Sequence, residues 1–169
     1  MDTLREYNID IFKLSNTTHE YSFVVENAFF ECFENSLIEK GNAKIEVILT
    51  KSETLISTQF QIKGEIELIC DRSLEPFNQE IESTNNMLFK FGDTWEELSD
   101  EIVVIPRDQQ RLNVSQFIYE FICLNIPMKK IHPKLRDQND VGIIYSSKEE
   151  IEENKNNDPR WDKLKGLIK

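Results

Sequence analysis

A chain of 169 residues that is 39% hydrophobic and holds eleven Phe has apolar side chains enough for one ordinary core and too few residues for two large ones. Its net charge of −11 excludes a generic sheath around nucleic acid, because neutralising phosphates takes clustered Lys and Arg. No apolar run reaches the length of a bilayer span, and the acidic start "MDTLREYNID" has no signal-peptide core, so a cytoplasmic protein without a membrane partner is expected.

In chain order, "YNIDIFKL" at 7–14 alternates as a strand does, and "EYSFVV" at 20–25 reads as a second strand after the turn-like "SNTT". The period then changes. Phe29, Phe30, Phe33, Leu37 and Ile38 recur at helical spacing and Gly41 falls where a C-terminal cap belongs, which predicts a helix over 26–40. Alternation returns at Ala43, Ile45, Val47 and Leu49, and again from 54 to 70, where the even positions are mostly apolar. That run exceeds the usual strand limit of about ten residues, so Gly64 is expected to mark a bulge or bend that lets a long strand curl. "EIESTNNMLFKFG" at 80–92 and "EIVVIP" at 101–106 add two strands.

The clearest helix follows. Val114, Phe117, Ile118, Phe121 and Ile122 keep the i, i+3, i+4 rule, Asn113 with Gln116 forms a candidate capping box, and Pro127 stops the run. Six strands with such helices predict an α+β fold: a mainly antiparallel, curled or barrel-like sheet with packed helices and a C-terminal helical tail. One α+β domain is expected over 1–145. The polar "SSKEEIEENKNN" at 146–157 reads as a linker or a short helix opened by Ser147 and Glu150. At 158–169 Asp158 is a good N-cap, Pro159 suits the first helical position, and Trp161, Leu164, Leu167 and Ile168 share one stripe. A helix this short falls below the roughly 12–15 residues that persist alone in water, so it must dock, with Trp161 as anchor.

Catalytic groups are scarce. His19 and His132 have no partner pattern of the nucleophile-and-base kind and read as surface histidines; Cys32, Cys70 and Cys123 are far apart and read as small buried hydrophobes. Neither phosphate-cradling glycine motif is present, and acid pairs such as Glu96/Glu97 are expected on solvated faces of a chain with 31 acids. No catalytic residue, cofactor, structural metal or small-molecule substrate is therefore expected. Charge is uneven: residues 101–169 carry 11 acids and 12 bases, which leaves 20 acids and 8 bases, or −12, in residues 1–100. The one basic cluster, "PMKKIHPKLRD", brings Lys129, Lys130, Lys134 and Arg136 against Asp137 alone.

Three ordered segments carry a resemblance. The first holds Gly64, Cys70, Arg72, Leu74, Pro76 and Phe77; the second Leu112, Glu120, Leu124 and Pro127; the third Asp158, Pro159, Arg160, Trp161, Leu164 and Leu167. In this order and spacing the chain resembles the YceD-like family, the large ribosomal RNA subunit accumulation proteins. Ser73 stands where that family has a second cysteine, and Asn113 where it often has Asp. Many members also carry a zinc-like cysteine cluster after the second segment, whereas this chain has no cysteine beyond Cys123, so zinc does not carry over. The resemblance implies a non-enzymatic ribosome-biogenesis factor that supports accumulation of large-subunit ribosomal RNA. Its partner would be a large-subunit ribosomal protein or a ribosomal RNA precursor particle. Arg72, Lys129, Lys130, Lys134, Arg136, Arg160 and Trp161 are the candidate contact residues. The acidic body favours a basic protein over bare RNA as the direct contact. The alternatives are an adaptor unrelated to ribosomes and a hydrolase that cuts RNA with carboxylate-bound metal.

Overall fold

Strands dominate because apolar and polar side chains alternate over long stretches of this chain. The computed structural model describes residues 3–136, all within the unit Met1–Asp137. Its strands are β1 (Asn8–Ile9), β2 (Thr18–Val25), β3 (Gly41–Lys51), β4 (Leu55–Ile69), β5 (Pro76–Gly92), β6 (Glu96–Ser99), β7 (Ile102–Pro106) and β8 (Leu112–Asn113). The helices are α1 (Asn27–Phe30), α2 (Ser115–Leu124) and α3 (Pro133–Arg136). The expected segments at 146–157 and 158–169 lie outside the described residues.

Six strands form one sheet in the order β2-β3-β4-β5-β7-β6. Strands β2 to β5 are an antiparallel meander, β7 lies parallel to β5, and β6 closes back antiparallel on β7. β1 and β8 form a separate pair. One face of the sheet is the core. Ala43, Ile45, Val47 and Leu49 of β3, Ile56, Phe60, Ile62, Ile66 and Leu68 of β4, and Phe77, Ile81, Met87 and Phe89 of β5 are all buried on it.

The expected α+β class is corrected by this architecture. Strand accounts for 48% of the described residues, and the six-stranded mixed sheet is not closed. Among the described residues, α1 and α3 are four residues each and only α2, at ten, is a helix of ordinary length. Closure fails because β6 is a four-residue edge, exposed throughout and irregular between Glu97 and Ser99, so it offers no ladder for β2 to complete.

Two local expectations are corrected as well. The helix over 26–40 ends at Phe30: the Cys32 and Phe33 N–H groups bond to the carbonyls of Phe29 and Phe30 in tight turns, and Asn35 takes a left-handed φ of 57°. Phe29, Phe30 and Ile38 are buried, while Phe33 stacks on Tyr119 of α2 at 4.1 Å and 9°. A single helical stripe cannot serve the sheet core and a neighbouring helix at once, so tertiary packing overrides the spacing. Gly41 opens β3 instead of capping a helix. In the 7–14 stretch Tyr7, Ile9 and Ile11 are buried as the alternation predicts, but only Asn8 and Ile9 pair as strand.

Gly64 is the second correction. β4 keeps unbroken register through it, Gly64 facing Ala43 on one side and Ile81 on the other, so no bulge is present. The glycine instead permits close approach: a Cβ there would lie 2.2 Å from the Asn42 carbonyl oxygen and 2.5 Å from the Ala43 Cα. Both obstacles are backbone, which moves only with the strand. Gly64→Ala is therefore expected to destabilise the chain by about 1–3 kcal/mol through overpacking. A urea titration checks this as a lower midpoint at unchanged slope; an unchanged midpoint would show that β3 yields at no cost.

Candidate functional site

α2 determines where the rest of the site lies. Its Phe117 ring sits 5.3 Å from Phe89, its Phe121 ring 5.2 Å from Phe60, and Asn125 just beyond it donates to Ser83 Oγ at 2.9 Å. The contacts step down β5 from 89 toward 83, so the helix points its C-terminal end at the turn that joins β4 to β5. The expected capping box does not form, since the N-cap of α2 is Val114 and makes no side-chain cap bond. Asn113 Oδ1 accepts the Ser115 N–H at 3.0 Å, but Gln116 reaches forward to Glu120 instead of back to Asn113. The helix stops at Leu124, before Pro127, where Asn125 Nδ2 donates to the Phe121 carbonyl at 2.7 Å.

The turn itself is tightly bonded. Cys70 N–H donates to the Glu75 carbonyl and Leu74 N–H to the Cys70 carbonyl, both at 2.9 Å, and Leu74 adopts a left-handed φ of 59° with its side chain exposed. Pro76 then starts β5, paired with Ile69. Cys70 is fully buried, and its sulfur accepts the backbone N–H of Ser73 at 3.5 Å and of His132 at 3.3 Å. Hydrogen bonding from Ser73, through its side chain and then its backbone, together with the His132 and Arg72 N–H groups, outweighs burial. The thiol is drawn from its ordinary 9.0 down to about 7.

The basic segment docks onto this turn. Asp71 N–H donates to the Lys130 carbonyl at 2.8 Å, the Lys130 N–H donates to Asp71 Oδ2 at 2.7 Å, and Lys130 Nζ stands 3.7 Å from Asp71 Oδ1. These two hydrogen bonds, one between backbones and one from a backbone N–H to the carboxylate, hold better than the half-exposed ion pair they accompany. The His132 ring packs 5.6 Å from Phe77, and its Nδ1 accepts the Lys134 N–H at 3.1 Å in the first turn of α3. His132 is thus half-buried structure rather than a surface group, while His19 caps the Ser15 turn through its Nε2 at 3.0 Å. Of the three free cysteines only Cys70 is fully buried; Cys32 and Cys123 are half-buried.

The candidate contact residues divide accordingly. Arg72 is exposed and follows Asp71 directly, Lys129 and Lys134 are exposed on either side of the joint, and Lys130 is half-buried in it. Arg136 ends α3. Of the motif residues, Glu120 lies exposed on α2 and Gly64 is internal to β4, both away from the turn. Asp158, Pro159, Arg160 and Trp161 lie outside the described residues. Asp71 was not among the residues singled out from sequence; its only signal is a carboxylate inside the "CDRS" turn, opposite the one basic cluster.

A zinc ion does not fit the groups present at this joint. Its soft donors are Cys70 and His132, whose Nδ1 is already an acceptor for Lys134, whereas a structural zinc takes four ligands. Among the described residues no three His, Cys, Asp or Glu side chains converge. The Cys70 sulfur accepts backbone N–H groups of Ser73 and His132, and Asp71 accepts that of Lys130.

A family model, described as large ribosomal RNA subunit accumulation protein YceD, matches residues 58–168. The chain belongs to the YceD family. The matched span begins within β4 and takes in the Cys70 turn, α2 and the basic segment, so the joint just described is built wholly from YceD sequence. Comparison with curated proteins and with solved structures finds no match.

Two measurements test the joint. Asp71→Ala should speed tryptic cleavage after Lys129 and Lys130 in the otherwise folded chain, since the backbone there loses its acceptor; an unchanged rate would mean that other contacts hold the segment. The lowered thiol makes a pH prediction. A group whose folded value is depressed adds stability that is fully present above its unfolded value, near 9, and is lost as pH falls through about 7. The stability difference between the parent chain and Cys70→Ala should therefore grow as pH is raised from 7 to 9. Denaturant midpoints that stay in parallel across that window would refute the hydrogen-bonded thiolate.

Proposed function

We propose that this YceD protein is a non-enzymatic cytoplasmic factor that supports the accumulation of large-subunit ribosomal RNA. The single observation that carries the reading is the family match over 58–168, whose description names that process. The geometry supports a binding role within it. Arg72, Lys129 and Lys134 are exposed around a turn held rigid by Asp71 and Cys70, and rigid placement of cations is what recognition of an acidic or phosphate-bearing surface needs. Among the described residues no helix is long and apolar enough to cross a membrane.

The body of the protein favours a basic protein as its direct partner. Residues 1–100 carry −12, a field that attracts a cationic ribosomal protein and repels bare RNA. The basic turn would then face the ribosomal RNA precursor particle while the acidic body holds a basic large-subunit protein.

The test is the ratio of large-subunit to small-subunit RNA in cells depleted of the protein and resupplied with variants. A selective fall in the large-subunit species on depletion is expected. The parent chain should restore it, and a triple reversal of Arg72, Lys129 and Lys134 to Glu should not; Lys130 is spared because its backbone and side chain hold the joint. An unchanged ratio on depletion would end the ribosomal reading and leave an adaptor of other partners. Full rescue by the triple variant would remove the basic turn from the account.

A further inference from the structure

A second surface is left unused by the Cys70 joint. Between α2 and the β6–β7 edge runs a groove of about 690 Å³. Phe117 and Phe121 of α2 form part of its wall, and Leu98 and Leu124, 53% and 74% exposed, stand at its rim. Large apolar side chains left this open beside a groove mark an interaction surface, because covering them returns about 25 cal/mol per Å². The charged groups lining it are Glu97, Asp100 and Glu120, with no Lys or Arg among them.

We propose that this groove docks a cationic amphipathic helix from a partner protein. The helix would lay its apolar stripe on Leu98, Leu124, Phe117 and Phe121 and turn its Lys and Arg toward the three carboxylates. Charge complementarity selects the sign of the partner. The β6 edge selects its shape. Leu98 is the extra residue of an irregular pairing, since Glu97 faces Val103 and Ser99 faces Ile102, and a short bulged edge is a poor template for an added strand. Side chains rather than backbone must therefore make the contact, and apolar side chains at helical spacing suit a groove. The inference deepens the protein-mediated contact proposed above, on which it rests, by giving the basic partner a seat apart from the basic turn.

The test uses a fluorescein-labelled synthetic peptide of leucines and lysines at helical spacing, titrated into the full-length chain and followed by anisotropy, beside a peptide of the same composition in scrambled order. Saturable binding of the patterned peptide is expected, weakened by about tenfold or more in a Glu97→Lys, Glu120→Lys double variant. Leu98→Ser with Leu124→Ser should weaken it comparably; all four positions are exposed, and circular dichroism verifies that the fold is retained. Equal affinity for the scrambled peptide, or no loss in either double variant, would reduce the effect to diffuse attraction by a chain of net charge −11 and overturn the proposal. Self-association abolished by the leucine changes, without peptide binding, would assign the groove to a second copy and overturn it too. The RNA ratio is read separately. A failed titration with a selective large-subunit defect sinks the groove alone, and a successful titration with an unchanged ratio sinks the ribosomal role alone.

Discussion

The β4–β5 ladder is the constraint on which the rest of the molecule depends. Its register runs unbroken from Leu55 opposite Lys90 to Ile69 opposite Pro76, and a single slip would turn Phe60, Ile62 and Phe89 out of the core. Each end of the ladder presents one surface. At the closed end, the Cys70 turn receives the basic segment; at the open end, β7 adds in parallel beside residues 88–92 and carries the acidic edge β6. α2 spans the inner face between the two, fixed by Phe89 and Phe60 along the way.

Gly64 makes that ladder compatible with its other neighbour. β3 passes so close to β4 at Asn42 and Ala43 that no Cβ fits, and the approach lets Ala43, fully buried, sit where a larger gap would need filling. The position matters to the site only indirectly. It lies within β4, five residues before the strand ends at Ile69, so strain at Gly64 would be passed along β4 rather than absorbed in a loop.

At the Cys70 turn, hydrogen bonds from backbone groups to side chains hold the segments together. The sulfur collects N–H groups from Ser73 and His132, and Asp71 collects the Lys130 N–H. The consequence is electrostatic. One carboxylate, that of Asp71, is engaged in holding the segment, with Arg72, Lys129 and Lys134 exposed around it. The groove beside α2 is lined by Glu97, Asp100 and Glu120, so surfaces of opposite sign occur on a chain of strongly negative total charge.

Much of the sheet was legible from the alternation alone. Ala43 to Leu49 and Ile56 to Leu68 are buried in the predicted phase, and α2 falls within its predicted stretch, because period and burial are properties of neighbouring residues. The basic cluster and the Cys70 motif were likewise visible as separate strings. What sequence could not reveal was their meeting. Asp71 and Lys130 are 59 residues apart, and only α2 lying along β5 brings them into contact. The short α1 followed tertiary demand in the same way, since Phe33 turned to Tyr119 instead of completing a stripe. Openness of the sheet also lay beyond local pattern, for it depends on how β6 ends at an edge. The sequence by itself determined which side chains face inward and where charge accumulates; the tertiary structure alone decided which distant backbone groups meet, because hydrogen bonds across the fold depend on register and helix direction rather than on spacing along the chain.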